Sequence, residues 1–258
     1  VNADFAHQDL SGANFRRANL LNVNFRQATL VGSNFREAKL TAANFSLANL
    51  TLANLIAADL SDAHLIETNL TEAGMRGVNL CRANLTRANL RDANLAEASM
   101  EQAILKYAIL TEASLSRAKL SAADFSTANL DNTNLTSAAM QGTILNGASM
   151  TDAHLNGATL EGAYLQGADL SRAKLSGASL VNADLTRANL RSANLSWSSL
   201  RGASFKGATL YRTKLSWSNL TGADLTNAVM IHAGLDYSNL NHTDIHGTIM
   251  PDGYTQDP

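Results

Sequence analysis

From Phe5 to Met250, every fifth residue is Leu, Phe, Met or Ile, and none of the 50 positions departs from this. A strict period of five fits no ordinary element. On an α-helix, successive fifth residues step about 140° around the axis and form no stripe. On a strand the side chains alternate and five is odd, so successive apolar residues would face opposite ways. The chain must instead turn once in every five residues.

Within one unit the geometry follows from elementary stereochemistry. We call the large apolar residue the centre. The residue two places before it lies on the same face of an extended segment. It is Ala at 37 of the 50 positions, with Thr or Ser at most of the others. Gln8 is the one residue there that is neither small nor apolar, and Val23 and Val78 are slightly large. The residue between these two points outward and is usually Asn or Asp, as in Ala18-Asn19-Leu20. The two residues after the centre are mostly polar or Gly and make the corner. Of the 16 Gly, 13 sit two places after a centre, among them Gly147, Gly157, Gly167 and Gly177. A turn takes a positive φ there at no steric cost to Gly. The units therefore build a coil with Leu and Ala inside. Repeats this short bury no core alone, so coils must stack. The number of units in one coil does not follow from the period.

Units such as Ala48-Asn49-Leu50, Ala58-Asp59-Leu60, Ala168-Asp169-Leu170 and Ala188-Asn189-Leu190 resemble those of the pentapeptide repeat proteins, whose repeat is close to Ala-(Asp/Asn)-Leu-X-X. The resemblance covers about 95% of the chain. It implies an all-β fold, a right-handed quadrilateral parallel β-helix with four units, or ~20 residues, to the coil. About 12 coils at the ~4.8 Å spacing of stacked strands would make a rod ~60 Å long. We expect residues 1–250 to form this single β-helix and 251–258 a C-terminal tail. Pro occurs only at Pro251 and Pro258, after the last centre. Pro251-Asp252-Gly253-Tyr254 reads as a turn that ends the helix and folds over its open edge. The chain is in register by Phe5, which leads us to expect further native residues or a domain before Val1.

Near the N-terminus the centres Phe5, Phe15, Phe25, Phe35 and Phe45 alternate with Leu. With four units per coil, Phe5, Phe25 and Phe45 stack on one side and Phe15 and Phe35 opposite, in a wide Phe-filled core. The rival expectation is an end that self-associates, drawing on the apolar Leu21, Val31, Leu47, Leu52, Ile56 and Ile66 just outside that core.

A net charge of −2 gives no general attraction to nucleic acid or acidic membranes, and we expect no direct nucleic-acid binding. The single cysteine, Cys81, excludes a disulfide framework within the chain and leaves the redox compartment open. No apolar run approaches the ~18 residues of a membrane span, and no signal peptide is visible; a cytoplasmic location is expected.

Under the implied coil, outward residues 20 apart fall into columns, and three stand out. One is acidic: Glu72, Asp92, Glu112 and Asp152, with Asn132 in the gap, Asp131 beside it, and Arg172 and Arg212 beyond. Like charges this close repel unless screened or partnered. It is either a solvated face or a stripe for a basic partner. The second is aromatic: Trp197, Trp217 and Tyr237, with Tyr211 at a corner near them. These rings either stabilise adjacent coils or form a contact surface. The third, Arg16, Arg36 and Arg76, is interrupted by Ile56 and flanked by Arg17 and Glu37, too short and broken for a nucleic-acid stripe.

No catalytic constellation emerges, and neither a metal nor another cofactor is expected. His7, His64, His154, His232, His242 and His246 are scattered. His242 and His246 are four apart, a metal-binding spacing only on a helix. Cys81 has no His close in sequence, and the Gly residues fall singly at corners rather than in a phosphate-binding loop. The leading expectation is a non-enzymatic scaffold whose flat sides bind an unknown protein, with end-to-end self-association as a further property. Family resemblance implies this in general terms; many members are cyanobacterial. The alternative is mimicry of DNA toward a DNA-binding enzyme such as a type II topoisomerase. That requires a strongly acidic rod, which a chain of 20 basic and 22 acidic residues is not.

Overall fold

The computed structural model describes residues 3–256; Val1 and Asn2 of the expected helix and Asp257 and Pro258 of the expected tail lie outside the described residues. Each outward residue before a centre forms a parallel bridge with the residue twenty positions on, from Asp4–Asn24 to Val229–Ile249. Twenty residues are four units, so four bridged sides run along the axis. Among the described residues there is no α-helix.

The backbone hydrogen bonds explain the five-residue unit almost atom by atom. In the unit around Leu50, the Leu50 N–H donates to the Asn69 carbonyl at 2.7 Å and the Leu52 N–H to the Thr71 carbonyl at 3.0 Å, both on the following coil. The Asn49 N–H donates back to the Ala28 carbonyl at 2.9 Å, and the Ala53 N–H closes the turn on the Leu50 carbonyl at 2.9 Å. The fifth N–H, that of Thr51, donates to the Asn49 side chain at 3.1 Å. No donor of the unit is left unbonded, as burial of its neighbours demands.

That last bond accounts for the Asn/Asp column. The same contact recurs at Asn14 with Arg16, Asp59 with Ser61, Asn134 with Thr136, Asp184 with Thr186 and Asn219 with Thr221. It is a local turn bond of the kind these side chains favour. Only a short side chain carrying an oxygen reaches a backbone N–H two residues on.

The corners bend more uniformly than glycine placement suggests. Every residue two places after a centre, from His7 to Gly247, has positive φ. At residues other than Gly it ranges from 54° at Asn22 to 64° at Trp197. The left-handed conformation costs an L-residue roughly 1–2 kcal/mol. Long polar side chains such as Arg82 and Glu97 accept it because the turn and its ladder bonds fix the backbone.

Inside, the centres and the Ala column form one continuous apolar core, with Leu130, Leu135 and Ala128 at 1% exposure or less. Val23 and Val78 are buried as well, whereas Gln8 is exposed. Most Ser and Thr that replace Ala remain buried by donating to main-chain carbonyls, as Thr68 does to Phe45 at 2.8 Å and Ser33 to Leu30 at 2.7 Å. The phenylalanines stack as expected. Phe5–Phe25 and Phe25–Phe45 lie 5.3 and 5.0 Å apart at 15° and 17°, and Phe15–Phe35 lie 4.9 Å apart at 10°. Edge-to-face contacts, such as Phe25–Phe35 at 5.6 Å, join the two sides. Of the apolar residues outside this core, Leu47 and Leu52 are exposed, and Leu21, Val31, Ile56 and Ile66 are half-buried.

At the C-terminal end the chain turns at Pro251–Gly253 and comes back on itself, bridging Thr255 antiparallel to Ile249. The Gly247 N–H donates to the Gln256 carbonyl, and the Gln256 N–H to the Thr248 carbonyl, both at 2.9 Å. The tail covers this one side of the last coil; Leu235, Leu240 and Ile245 stay half-buried.

Candidate functional site

With the interior filled by side chains, chemistry and recognition must lie outside. The aromatic column forms because positions 197, 217 and 237 are corner residues in register on consecutive coils. Trp197 and Trp217 stack at 4.9 Å with their planes 1° apart, and Trp217 and Tyr237 at 4.3 Å and 19°. The rings nevertheless stay open to solvent, at 62%, 49% and 77% exposure. Stacking and exposure therefore coexist.

Tyr211 does not join this ladder. It belongs to the preceding corner, where Arg191 and Arg212 lie over its ring at 4.9 and 5.1 Å and His232 meets its edge at 5.7 Å.

The acidic column is in large part neutralised by arginines. Arg91 approaches Asp92 at 3.4 Å and Glu112 at 3.8 Å. Arg172 makes a two-pronged contact with Asp152, its Nη2 2.7 Å from Oδ2. That guanidinium holds the Asp152 carboxyl below its usual range. Glu72 has no ion pair among the described residues. In the basic column Arg36 and Arg76 are likewise paired: Glu37 accepts from Arg36 at 3.1 Å and from the flanking Arg17 at 2.6 Å, and Arg76 meets Glu97 at 2.9 Å.

Cys81 is half-buried at a corner and donates to Glu101 at 3.1 Å. Burial first, and then the Glu101 carboxylate, push the thiol up, which leaves it a poor nucleophile. No group of three or more His, Cys, Asp or Glu among the described residues is placed to hold a metal ion. His154 lies 3.0 Å from the Lys174 amine. The surface hollows beside Arg187, where Gly167 and Gly207 leave the corner bare, are open grooves.

Several exposed apolar residues escaped the sequence analysis. Ile104, Ile109 and Tyr164 occupy the outward Asn/Asp column, and Tyr107 stands at a corner with Arg87 over its ring at 5.6 Å. Their one sequence signal is the absence of a polar side chain where nearly every unit has one.

Comparison with known proteins rests on the same repeat. The family profile described as Pentapeptide repeats matches in overlapping copies from residues 1–36 through 213–250. The crystal structure of HetL, a pentapeptide repeat protein involved in heterocyst differentiation regulation in the cyanobacterium Nostoc sp. strain PCC 7120, is 32% identical. The alignment covers 79% of this chain and 92% of HetL, with a TM-score of 0.59. The chain belongs to the pentapeptide repeat family. The right-handed quadrilateral β-helix of that family is the fold its four-sided ladder follows. A pentapeptide repeat protein of the Arabidopsis thaliana thylakoid lumen is 35% identical over 39% of this chain and 63% of its own, with a TM-score of 0.28. QnrB1, a plasmid-mediated fluoroquinolone resistance protein, is 16% identical over 64% and 89%, with a TM-score of 0.45. A search of curated proteins finds no match. No helix among the described residues is long and apolar enough to cross a membrane.

Proposed function

We propose that this pentapeptide repeat protein is a non-catalytic scaffold that binds another protein along its outer faces, as one solenoid of about 12 coils over residues 1–250 with the tail 251–258. The observation that carries this is the exposed ladder of Trp197, Trp217 and Tyr237. Large aromatics in water at three consecutive coils are the residues that dominate contact energies between proteins. Glu72, Asp92, Glu112 and Asp152 form a second candidate surface, for a basic partner, and Tyr211 lies at the edge of the first. The likeness to HetL, which is involved in regulating differentiation, supports a regulatory setting, and we place the protein in the cytoplasm as part of the same proposal.

DNA mimicry requires one continuous negative face. Arg91 sits between Asp92 and Glu112, and Arg172 caps Asp152, so the acidic column supports a scaffold rather than a mimic.

The test is affinity capture from an extract of the source organism. The whole chain is compared with Trp197→Ser/Trp217→Ser and with Glu72→Gln/Asp92→Asn/Glu112→Gln/Asp152→Asn. A protein retained by the parent and lost with the tryptophan variant supports the ladder as the contact. A partner retained by both variants puts the contact elsewhere. Protection of a type II topoisomerase in a supercoiling assay, abolished by the acidic variant, would establish mimicry instead.

A further inference from the structure

We propose that the face carrying Lys174, Asn194 and Lys214, with the corners on either side of it, docks an acidic extended segment of a partner protein. The inference rests on the scaffold role above and supplies the chemistry of its partner.

Residues 171–220 contain eight Lys and Arg and a single acid, Asp184, in a chain whose net charge is −2. Five of the eight stand on this one face or its leading corner: Arg172, Lys174, Arg191, Arg212 and Lys214, all exposed. Of these five, only Arg172 is in an ion pair among the described residues, with Asp152. Lys174 has His154 rather than a carboxylate as its partner, at 3.0 Å. Arg191 and Arg212 rest on the Tyr211 ring, which orients them and leaves their charge whole. No acidic side chain occurs in residues 171–177, 191–197 or 211–217, the three coil segments that make up the face. Bridges Lys174–Asn194 and Asn194–Lys214 fix the two lysines two coils apart, about 10 Å along the axis. Extended peptide covers that distance in about three residues.

The trailing corner of this face is the tryptophan pair. The two indoles face one another, Trp217 also faces Tyr237, and one face of Trp197 is left open. What points outward is ring edge, the positive pole of the aromatic quadrupole. Each indole also brings an N–H donor, and neither has a hydrogen-bond partner among the described residues. Edges, N–H donors and ammonium groups all favour carboxylates. A single-stranded nucleic acid would need open ring faces on which to stack its bases, and the ladder has used most of them. Asp236, beside Tyr237, closes the positive strip on its C-terminal side.

The test uses the whole chain and a blocked peptide of about twelve residues alternating Glu and Thr, at about 50 mM salt, where surface charge is weakly screened. The matching Lys–Thr peptide and an oligo(dT) of about twelve nucleotides serve as comparisons. The Glu–Thr peptide should change the tryptophan emission saturably and lose affinity as salt is raised. Peptide anisotropy should show Lys174→Glu/Lys214→Glu and Trp197→Ser/Trp217→Ser each weakening binding by about tenfold or more. Ser is compatible with that corner, since Ser137 and Ser192 hold the same positive φ. Arg26→Glu, far along the rod, should change nothing. No saturable binding, equal loss with Arg26→Glu, or equal binding of oligo(dT) through the same residues overturns the inference. So does self-association of the chain that the peptide fails to displace. A captured partner whose binding is unchanged by Lys174→Glu/Lys214→Glu also overturns it and leaves the scaffold role standing. Peptide binding that passes every control while no partner is ever captured does the reverse.

Discussion

Asn49 caps Thr51: its Oδ1 accepts both the Thr51 backbone N–H at 3.1 Å and the Thr51 hydroxyl at 2.6 Å. This contact secures an N–H of the unit that makes no backbone hydrogen bond. Asn49→Ala removes it and should cost about 0.5–1.5 kcal/mol, the usual net worth of a hydrogen bond. Asn49→Asp keeps the acceptor and should be close to neutral at pH 7. Chemical denaturation of the two variants separates these outcomes.

The Ser198 and Ser218 pair offers a sharper comparison, because the two residues stand in the same column one coil apart. Ser198 donates to the Leu195 carbonyl at 2.6 Å, whereas the Ser218 hydroxyl is buried without a partner. An unsatisfied buried hydroxyl costs about 1–3 kcal/mol. Ser218→Ala should therefore raise stability by about 1 kcal/mol, and Ser198→Ala should lower it or leave it unchanged. Equal effects in a urea titration would count against the difference.

In the aromatic ladder, Trp217 touches rings on both sides, and Trp197 and Tyr237 each touch one. Each stacked pair is worth about 0.5–1.5 kcal/mol. Trp217→Ser should thus destabilise about twice as much as either Trp197→Ser or Tyr237→Ser. Acrylamide should quench the emission of the parent efficiently, because both tryptophans are half open to water.

Left-handed corners occupied by Ala hold a small reserve of instability. Ala57 sits at a φ of 54°. Replacing it with Gly relieves the steric penalty and gives back part of the gain as unfolded-chain entropy. Ala57→Gly should stabilise by about 0.5–1 kcal/mol. Ala58→Gly, next door in the buried column, should destabilise; thermal melting distinguishes the two.

Acid should loosen the outward carboxylate column. Burial pushes the Asp59 carboxyl up, but Ser61, Thr41 and Asn79, all donating to it, outweigh burial and leave it below its ordinary value. Asp124, Asp184 and Asp224 show the same balance, with Lys206 bonded to Asp224. A folded value below the unfolded one means the stabilisation is complete above the ordinary Asp value of about 3.9. It is lost as the pH falls through the folded value. Melting temperature should drop between about pH 4 and pH 2. Substituting Asn at these four positions should flatten the drop, because Asn keeps the backbone acceptor without titrating.

The repeat made the inner half of every unit legible. Phe25 and Phe45 could be stacked on paper once the family resemblance supplied four units to the coil. The same arithmetic found Trp197 over Trp217. Contacts between columns were hidden. Arg91 lies one residue outside the acidic column, so a column taken by itself shows only repulsion between Asp92 and Glu112. The capping role of Asn49 was hidden for a related reason. Outward polarity explains an Asn well enough that its bond to the Thr51 backbone goes unsought. Tyr211 was legible as a corner residue near the ladder, but its contacts with Arg191 and Arg212 were not, because they run between columns.

The twenty-residue bridge also sets how this chain can lengthen, shorten and come apart. Each coil closes onto its predecessor across the same loop, however many coils already stand, so the entropy of adding one is constant along the rod. Deleting twenty residues in register returns every column to itself, and deleting three displaces every centre beyond the cut. Pulled from one end, such a chain would unwind one coil after another at nearly level force, because each coil is held only by its neighbours. The rod is in that sense a ruler, graduated in units of four turns.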